Sequence, residues 1–265
     1  MVLKYMFQNG KINMDISFLP KLKNAKLICG LPGSGYVGKL AVDYLIDKLK
    51  ATKFVDIYSS SFPPQVSIHQ DGTIDLIKNS MYFCQNNKHD FILLTGDAQP
   101  VSANGEYILA EKILNTCKKL NVHSIYTLAA YITGKFVKQP KVFGTCTQLK
   151  TVDTLSNYGI SKMNKGSITG MNGVIIGIAK KNQITGMCLL GETSGYVVDA
   201  LASKALLEAL CNLLNIDLDM SEIQKRAADT EKIIKTIESQ ISQTSQDQQQ
   251  SMSMQSAEKN LDYIS

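Results

Sequence analysis

The sequence predicts an α/β domain built on a parallel or mixed central sheet. Three observations carry this. Short apolar runs recur through residues 1 to 215, and amphipathic segments of helical period separate them. Turn signals at Asn9-Gly10 and Asp71-Gly72 mark hairpins that a purely parallel sheet would not contain. At 265 residues, 44% of them apolar, the chain can bury a sizeable core.

The elements follow in order. Val2 to Phe7 and Ile12 to Phe18 flank the first turn as hairpin arms. Leu27 to Cys29 is an apolar run that ends in a glycine-rich loop. Tyr36 to Lys50 then reads as a helix whose apolar face is Val37, Leu40, Ala41, Tyr44, Leu45 and Leu49. Phe54 to Tyr58 reads as a strand, and Pro63-Pro64 interrupts the chain. Gln65 to Gln70 and Thr73 to Cys84 are the arms of the second hairpin. Phe91 to Leu94 has the unbroken apolar character of a buried strand. A helix over Ala103 to Leu120 follows, then strands at Ser124 to Ala130 and Val142 to Cys146, and a helix over Gln148 to Tyr158. Val174 to Ala179 and Ile184 to Leu190 are strand-like, and a long helix spans Tyr196 to Asn215.

This places a core domain at 1–218, an amphipathic helix at 219–243 and a flexible tail at 244–265. In the helix, Ile223, Ala227, Ile234, Ile237 and Ile241 form a narrow stripe, suited either to a partner helix or to the chain's own domain. Residues 242–256 are Ser, Gln and Met with little to bury, and are expected to be disordered. Leu261, Tyr263, Ile264 and Ser265, at the end of such a tether, read as a docking peptide.

Several function classes drop out. A net charge of +5 spread over scattered lysines lacks the concentrated stripe of a nucleic-acid binder. No apolar run of membrane-spanning length exists, and residues 1–20 show no signal peptide. The six cysteines fall in no C-x-x-C spacing and read as reduced core residues of a cytoplasmic protein. The three histidines form no metal-ligand pattern, so no metal and no cofactor is expected.

The candidate chemistry lies in three loops that follow apolar strands: 30–38, 95–100 and 191–195. In an open α/β sheet such loops gather at the carboxyl edge of the strands, where ligands bind. Gly33, Gly35 and Gly38 fit G-x-G-x-x-G, and Gly33, Gly38 and Lys39 nearly fit a P-loop. Asp97 and Glu192 would bring carboxylates beside that possible anion loop. This defines one reading, a phosphate- or nucleotide-binding, ligase-like enzyme. Against it, Leu40 stands where a P-loop needs a hydroxyl for magnesium, and the chain's only arginine, Arg226, lies far along in sequence. Gly191 to Gly195 is out of register for a nucleophile elbow, because its central residue is Thr193.

Four motifs taken together point elsewhere. Gly30-Leu31-Pro32-Gly33 with Val37-Gly38, Thr95-Gly96-Asp97-Ala98-Gln99-Pro100, Pro140-Lys141-Val142-Phe143-Gly144, and Leu190-Gly191-Glu192-Thr193-Ser194-Gly195-Tyr196 with Val198-Asp199 occur in this order. In this the chain resembles archaeal members of the proteasome assembly chaperone family over residues 20 to 240. The resemblance implies a three-layer α/β sandwich related to purine nucleoside phosphorylases but without their catalytic residues. It also implies a homo-oligomer that binds proteasome α-subunits or assembly intermediates and is not an enzyme. Some members end in a hydrophobic-Tyr-any tripeptide that inserts between α-subunits. Here Tyr263 is third from the end and Asp262 precedes it, which moves the terminal carboxylate about 3.3 Å further out in an extended chain.

Overall fold

The structure, a computed structural model, describes residues 12–85 and 89–259, with side chains described to residue 240 and at 243. The first arm of the Asn9-Gly10 hairpin and the terminal Leu261, Tyr263, Ile264 and Ser265 lie outside the described residues.

In chain order the strands and helices are β1 (Ile12–Ile16), β2 (Ala25–Cys29), α1 (Val37–Lys48), β3 (Thr52–Ser59), β4 (Val66–Ile68), β5 (Ile74–Leu76), β6 (Asn79–Gln85) and β7 (Asp90–Gly96). There follow α2 (Ala103–Lys119), β8 (Val122–Ile132), β9 (Val142–Cys146), α3 (Leu149–Val152), β10 (Ile160–Lys162), α4 (Gly170–Lys181), β11 (Thr185–Thr193), α5 (Ala200–Leu214) and α6 (Ser221–Lys259). Nine strands form one mixed sheet in the order β1-β3-β6-β7-β2-β8-β11-β9-β10, and β4 pairs with β5 as a separate ribbon. The centre, β7-β2-β8-β11, is parallel; β6, β3 and β1 extend it on one side through successive antiparallel pairs, and β9, with β10 parallel to it, pairs antiparallel on the other.

Alternation along the central strands makes three layers, since successive side chains of a strand point to opposite faces. Leu27, Ile92, Leu94, Ile125, Cys188 and Leu190 face one core, closed by α2 and α4. Ile28, Phe91, Leu93, Leu128, Met187 and Leu189 face the other, closed by α1, α5 and the start of α6. Burial raises the thiols in these cores: Cys84 and Cys146 to about 11, Cys117, Cys188 and Cys211 to about 12, and Cys29 higher still. None offers a thiolate nucleophile at neutral pH.

Five sequence expectations are corrected. Val174 to Ala179 is not a strand but the middle of α4. A short apolar run fits a buried helix as well as a buried strand, and its flanks decide. Thr73 to Cys84 is two strands, because the chain turns at Ile77-Lys78 and leaves the ribbon to join the main sheet. Gln148 to Tyr158 holds only the single turn of α3 and a 3-10 turn at Leu155–Tyr158. The helix expected from Tyr196 starts at Ala200, because the Asp199 carboxylate accepts the Ala202 N–H (2.9 Å) and caps it there. Finally, α6 continues to Lys259, across the boundary drawn at 243 and through the stretch expected to be disordered. That stretch has no Gly or Pro to break a helix, and its Gln and Met residues are good helix formers.

The stripe on α6 seats its first half on its own domain. Ile223, Ala227, Thr230 and Ile234 are buried at spacings of four, three and four. The Tyr44 hydroxyl donates to the Asp219 carbonyl (2.7 Å), and Lys48 meets Glu222 at 2.7 Å, tying α6 to α1.

Candidate functional site

The carboxyl edge of the parallel strands collects all four sequence motifs. β2 delivers the 30–36 loop, β7 delivers 97–102, and β11 delivers 194–199. β9 runs antiparallel to β11 with Val142 opposite Gly191, so the Pro140–Gly144 motif starts at the same edge.

The glycine loop is a packing device. A Cβ on Gly38 would stand 2.0 Å from the Leu128 carbonyl oxygen, and one on Gly30 2.1 Å from the Gly38 carbonyl oxygen. Glycine at both positions lets α1 lie directly on β8 and β2. Gly35 has a φ of 61°, and its carbonyl accepts the Asp199 N–H (2.9 Å). Gln99 staples the loop from the other side: its Nε2 donates to the Pro32 carbonyl (2.6 Å) and its Oε1 accepts the Met171 N–H (2.8 Å).

The charged residues named from sequence do not converge on that loop. The Lys39 ammonium points back along α1, 2.9 Å from Asp43 and 3.4 Å from the Thr95 hydroxyl, which itself donates to Asp43 (2.6 Å). The Asp97 carboxylate accepts the Lys78 N–H (3.1 Å). Glu192 accepts the Lys141 N–H (3.1 Å) beside the neighbouring strand β9. Gly33, Gly35 and Gly38 thus share a loop, but Lys39, Asp97 and Glu192 each serve a different neighbour. Among the described residues no group of three or more His, Cys, Asp or Glu could hold a metal, and no helix is long and apolar enough to cross a membrane.

A buried polar hub fixes the loops instead. The Thr193 hydroxyl donates to Asp199 (2.6 Å) and accepts the Gly195 N–H (3.2 Å), while the Ser203 hydroxyl donates to the Val37 carbonyl (3.0 Å). These contacts join the ends of β11, α1 and α5 into one rigid unit.

The edge presents apolar side chains to solvent. Of fifteen large apolar side chains exposed among the described residues, nine stand here: Tyr36, Val66, Ile68, Ile74, Leu76, Val101, Ile132, Tyr196 and Val198. Such a concentration marks an interaction surface rather than scattered exposure. At its centre Tyr196 is 76% exposed and Ile132 58%. Phe136 lies edge-on to Tyr196 with ring centroids 6.5 Å apart. A Cβ on Gly195 would touch Ile132 (3.2 Å) and approach Ser34 (3.9 Å), so the 34–36, 132–136 and 195–198 segments adjoin. Tyr36 is held at φ 53°, a left-handed conformation that costs a non-glycine residue about 1 kcal/mol or more. The strain holds a half-exposed aromatic ring at the surface, which suits a binding surface better than a core. Sequence reasoning named Tyr196 and Val198 only as parts of a motif; no periodicity reveals that a loop aromatic is exposed.

Residues 27–238 match the PAC2 family. An uncharacterized protein of Methanocaldococcus jannaschii is 37% identical over 233 residues, covering 88% of this chain and 90% of that one. The crystal structure of Pyrococcus furiosus PbaB, described as an archaeal proteasome activator, superposes with a TM-score of 0.81 at 32% identity, over 86% of this chain and 99% of that one. Pyrococcus furiosus PbaA, described as an archaeal homolog of proteasome-assembly chaperone, superposes with a TM-score of 0.72 at 25% identity, over 92% and 99%.

Proposed function

Because the chain belongs to the PAC2 family, we propose that it is a non-enzymatic chaperone of proteasome assembly, acting in the cytoplasm on proteasome α-subunits or assembly intermediates. The observation that carries this reading is the carboxyl edge itself. Lys39, Asp97 and Glu192 each bond a structural neighbour, and the edge turns a concentration of aromatic and aliphatic side chains outward. Aromatic anchors on a rigid platform are what a protein interface requires. The two Pyrococcus furiosus relatives support the choice of partner. Self-association belongs to the same reading.

The C-terminal segment serves the same end by a different geometry from a floppy tether. The 39 residues of α6 rise about 58 Å, and those beyond the buried Ile234 about 38 Å. Leu261, Tyr263, Ile264 and Ser265, beyond that helix in sequence, dock at a partner through their apolar side chains.

The test compares α-subunit capture by the full chain, by a chain ending at Gln240, and by an Ile132→Ser/Tyr196→Ala variant. The reading expects both changes to weaken capture and their combination to abolish it. Undiminished capture by both altered forms would overturn it.

A further inference from the structure

The amino edge of the parallel strands carries a cavity that the reading above leaves unused. It lies between the last turns of α2 and α4, where β8 and β11 begin, and has a volume of about 660 Å³. Small-molecule sites span about 300–1,000 Å³. Its buried lining is apolar: Leu114, Cys117 and Ile125, with the half-buried Ile178 and Ile184 beside them. The exposed lining carries two ammonium groups, Lys118 and Lys181, and the His123 ring, against the single carboxylate of Glu111. Both lysines stand in the last turn of their helix, where the helix dipole favours a cation. Neither has an ion-pair partner among the described residues. The cavity is distinct from the candidate site: along β8, His123 and Ile132 are about 30 Å apart.

A groove continues the cavity along α4, past Tyr107, Ile178 and Lys181 to Val174 and Gly177. Gly177 stands in mid-helix, where glycine is less stable than alanine. Nothing lies within 4 Å of the position its Cβ would take, so internal packing does not call for glycine there. A ligand lying close against the α4 backbone does. We propose that this cleft binds a small amphipathic anion, with its aliphatic body on the apolar lining and its one anionic head met by Lys118 and Lys181. The charges select this class. A neutral apolar molecule would leave both ammonium groups unanswered, a cation would meet two like charges, and Glu111 opposes an anion of high charge.

Isothermal calorimetry of the full chain with sodium decanoate tests it, with circular dichroism and thermal unfolding as controls for folding. Decanoate should bind with a dissociation constant below about 0.1 mM. Decanol and decylammonium, of the same length without the negative charge, should bind at least about tenfold more weakly. Lys118→Gln/Lys181→Gln changes two exposed side chains, so the fold should survive, and decanoate should bind at least about tenfold more weakly. Gly177→Leu should raise the melting temperature, because leucine is the better helix former, yet fill the groove and weaken decanoate binding about fivefold. Absence of saturable binding overturns the inference. So does decanol binding as tightly as decanoate, or decanoate affinity unchanged in both the lysine and the Gly177 variants. Loss of decanoate binding in Ile132→Ser/Tyr196→Ala would place the ligand on the apolar carboxyl edge and overturn it too.

Discussion

The glycine loop at 30–38 and the ribbon at 66–76 stand on the same edge of the same sheet, and both turn on glycine. They use it for opposite ends. In the loop, Gly30 and Gly38 remove side chains so that backbone can press on backbone, and the polar groups around them are bonded inward. In the ribbon, Gly72 only closes a turn, with nothing near where its Cβ would be, and the side chains beside it face solvent. The segment that most resembles a nucleotide motif is thus structural, while the segment that resembles an ordinary hairpin carries uncovered apolar surface. A motif reports local backbone geometry; whether a ligand uses it depends on where the neighbouring charges point.

The sharpest way to break this contrast is Gly38→Ala. The methyl group would collide with the Leu128 carbonyl and should cost at least about 3 kcal/mol in denaturant unfolding, whereas Gly72→Ala should cost far less and only through its positive φ. Equal losses at the two glycines would remove the contrast.

Asp199→Ala probes the hub behind the loop. It removes the cap of α5 and the partner of the buried Thr193 hydroxyl, and should cost about 2–3 kcal/mol by chemical denaturation.

Lys39→Ala is milder. Its ion pair with Asp43 is partly exposed, at 22% and 40%, and should be worth about 1 kcal/mol. Calorimetry with ATP, nucleosides and phosphate should show no tight binding in either form. Tight binding abolished by this change would restore the loop as a ligand site.

Glu222→Gln gives the smallest effect. Hydrogen bonds from Lys48 and then Arg226 hold the Glu222 carboxyl below its usual range. Its stabilising contribution is therefore complete above the ordinary carboxylate value and is lost as pH falls through the lowered one. The variant should melt slightly below the wild type at neutral pH, and the two should converge in acid. A gap that persists in acid would mean that Glu222 does not act through its charge.

Much of the framework was legible in the sequence. β9 is found at Val142–Cys146, and β2, α1, β7 and α2 lie within a few residues of their expected bounds, because their apolar patterns have one period and clear turns at each end. Legibility failed where one pattern serves two structures. Val174 to Ala179 is apolar on every side, and nothing in it separates a buried strand from a buried helix. The break at Ile77-Lys78 carries no Gly or Pro to announce it. At the candidate site the sequence gathered the right loops but misjudged what they present. Lys39, Asp97 and Glu192 are conspicuous as charges, yet each finds a structural neighbour that only the folded chain supplies. Ile132 and Tyr36 are inconspicuous among apolar residues, and their exposure follows from their places, at the end of β8 and in the turn before α1.

Protein binding at the carboxyl edge would run through its aromatic and aliphatic side chains. Isothermal calorimetry of proteasome α-subunits against the wild type and the Ile132→Ser/Tyr196→Ala variant tests it most directly. The variant should bind at least about a hundredfold more weakly, with its unfolding free energy within about 0.5 kcal/mol of the wild type. Unchanged affinity in a fully folded variant would contradict it.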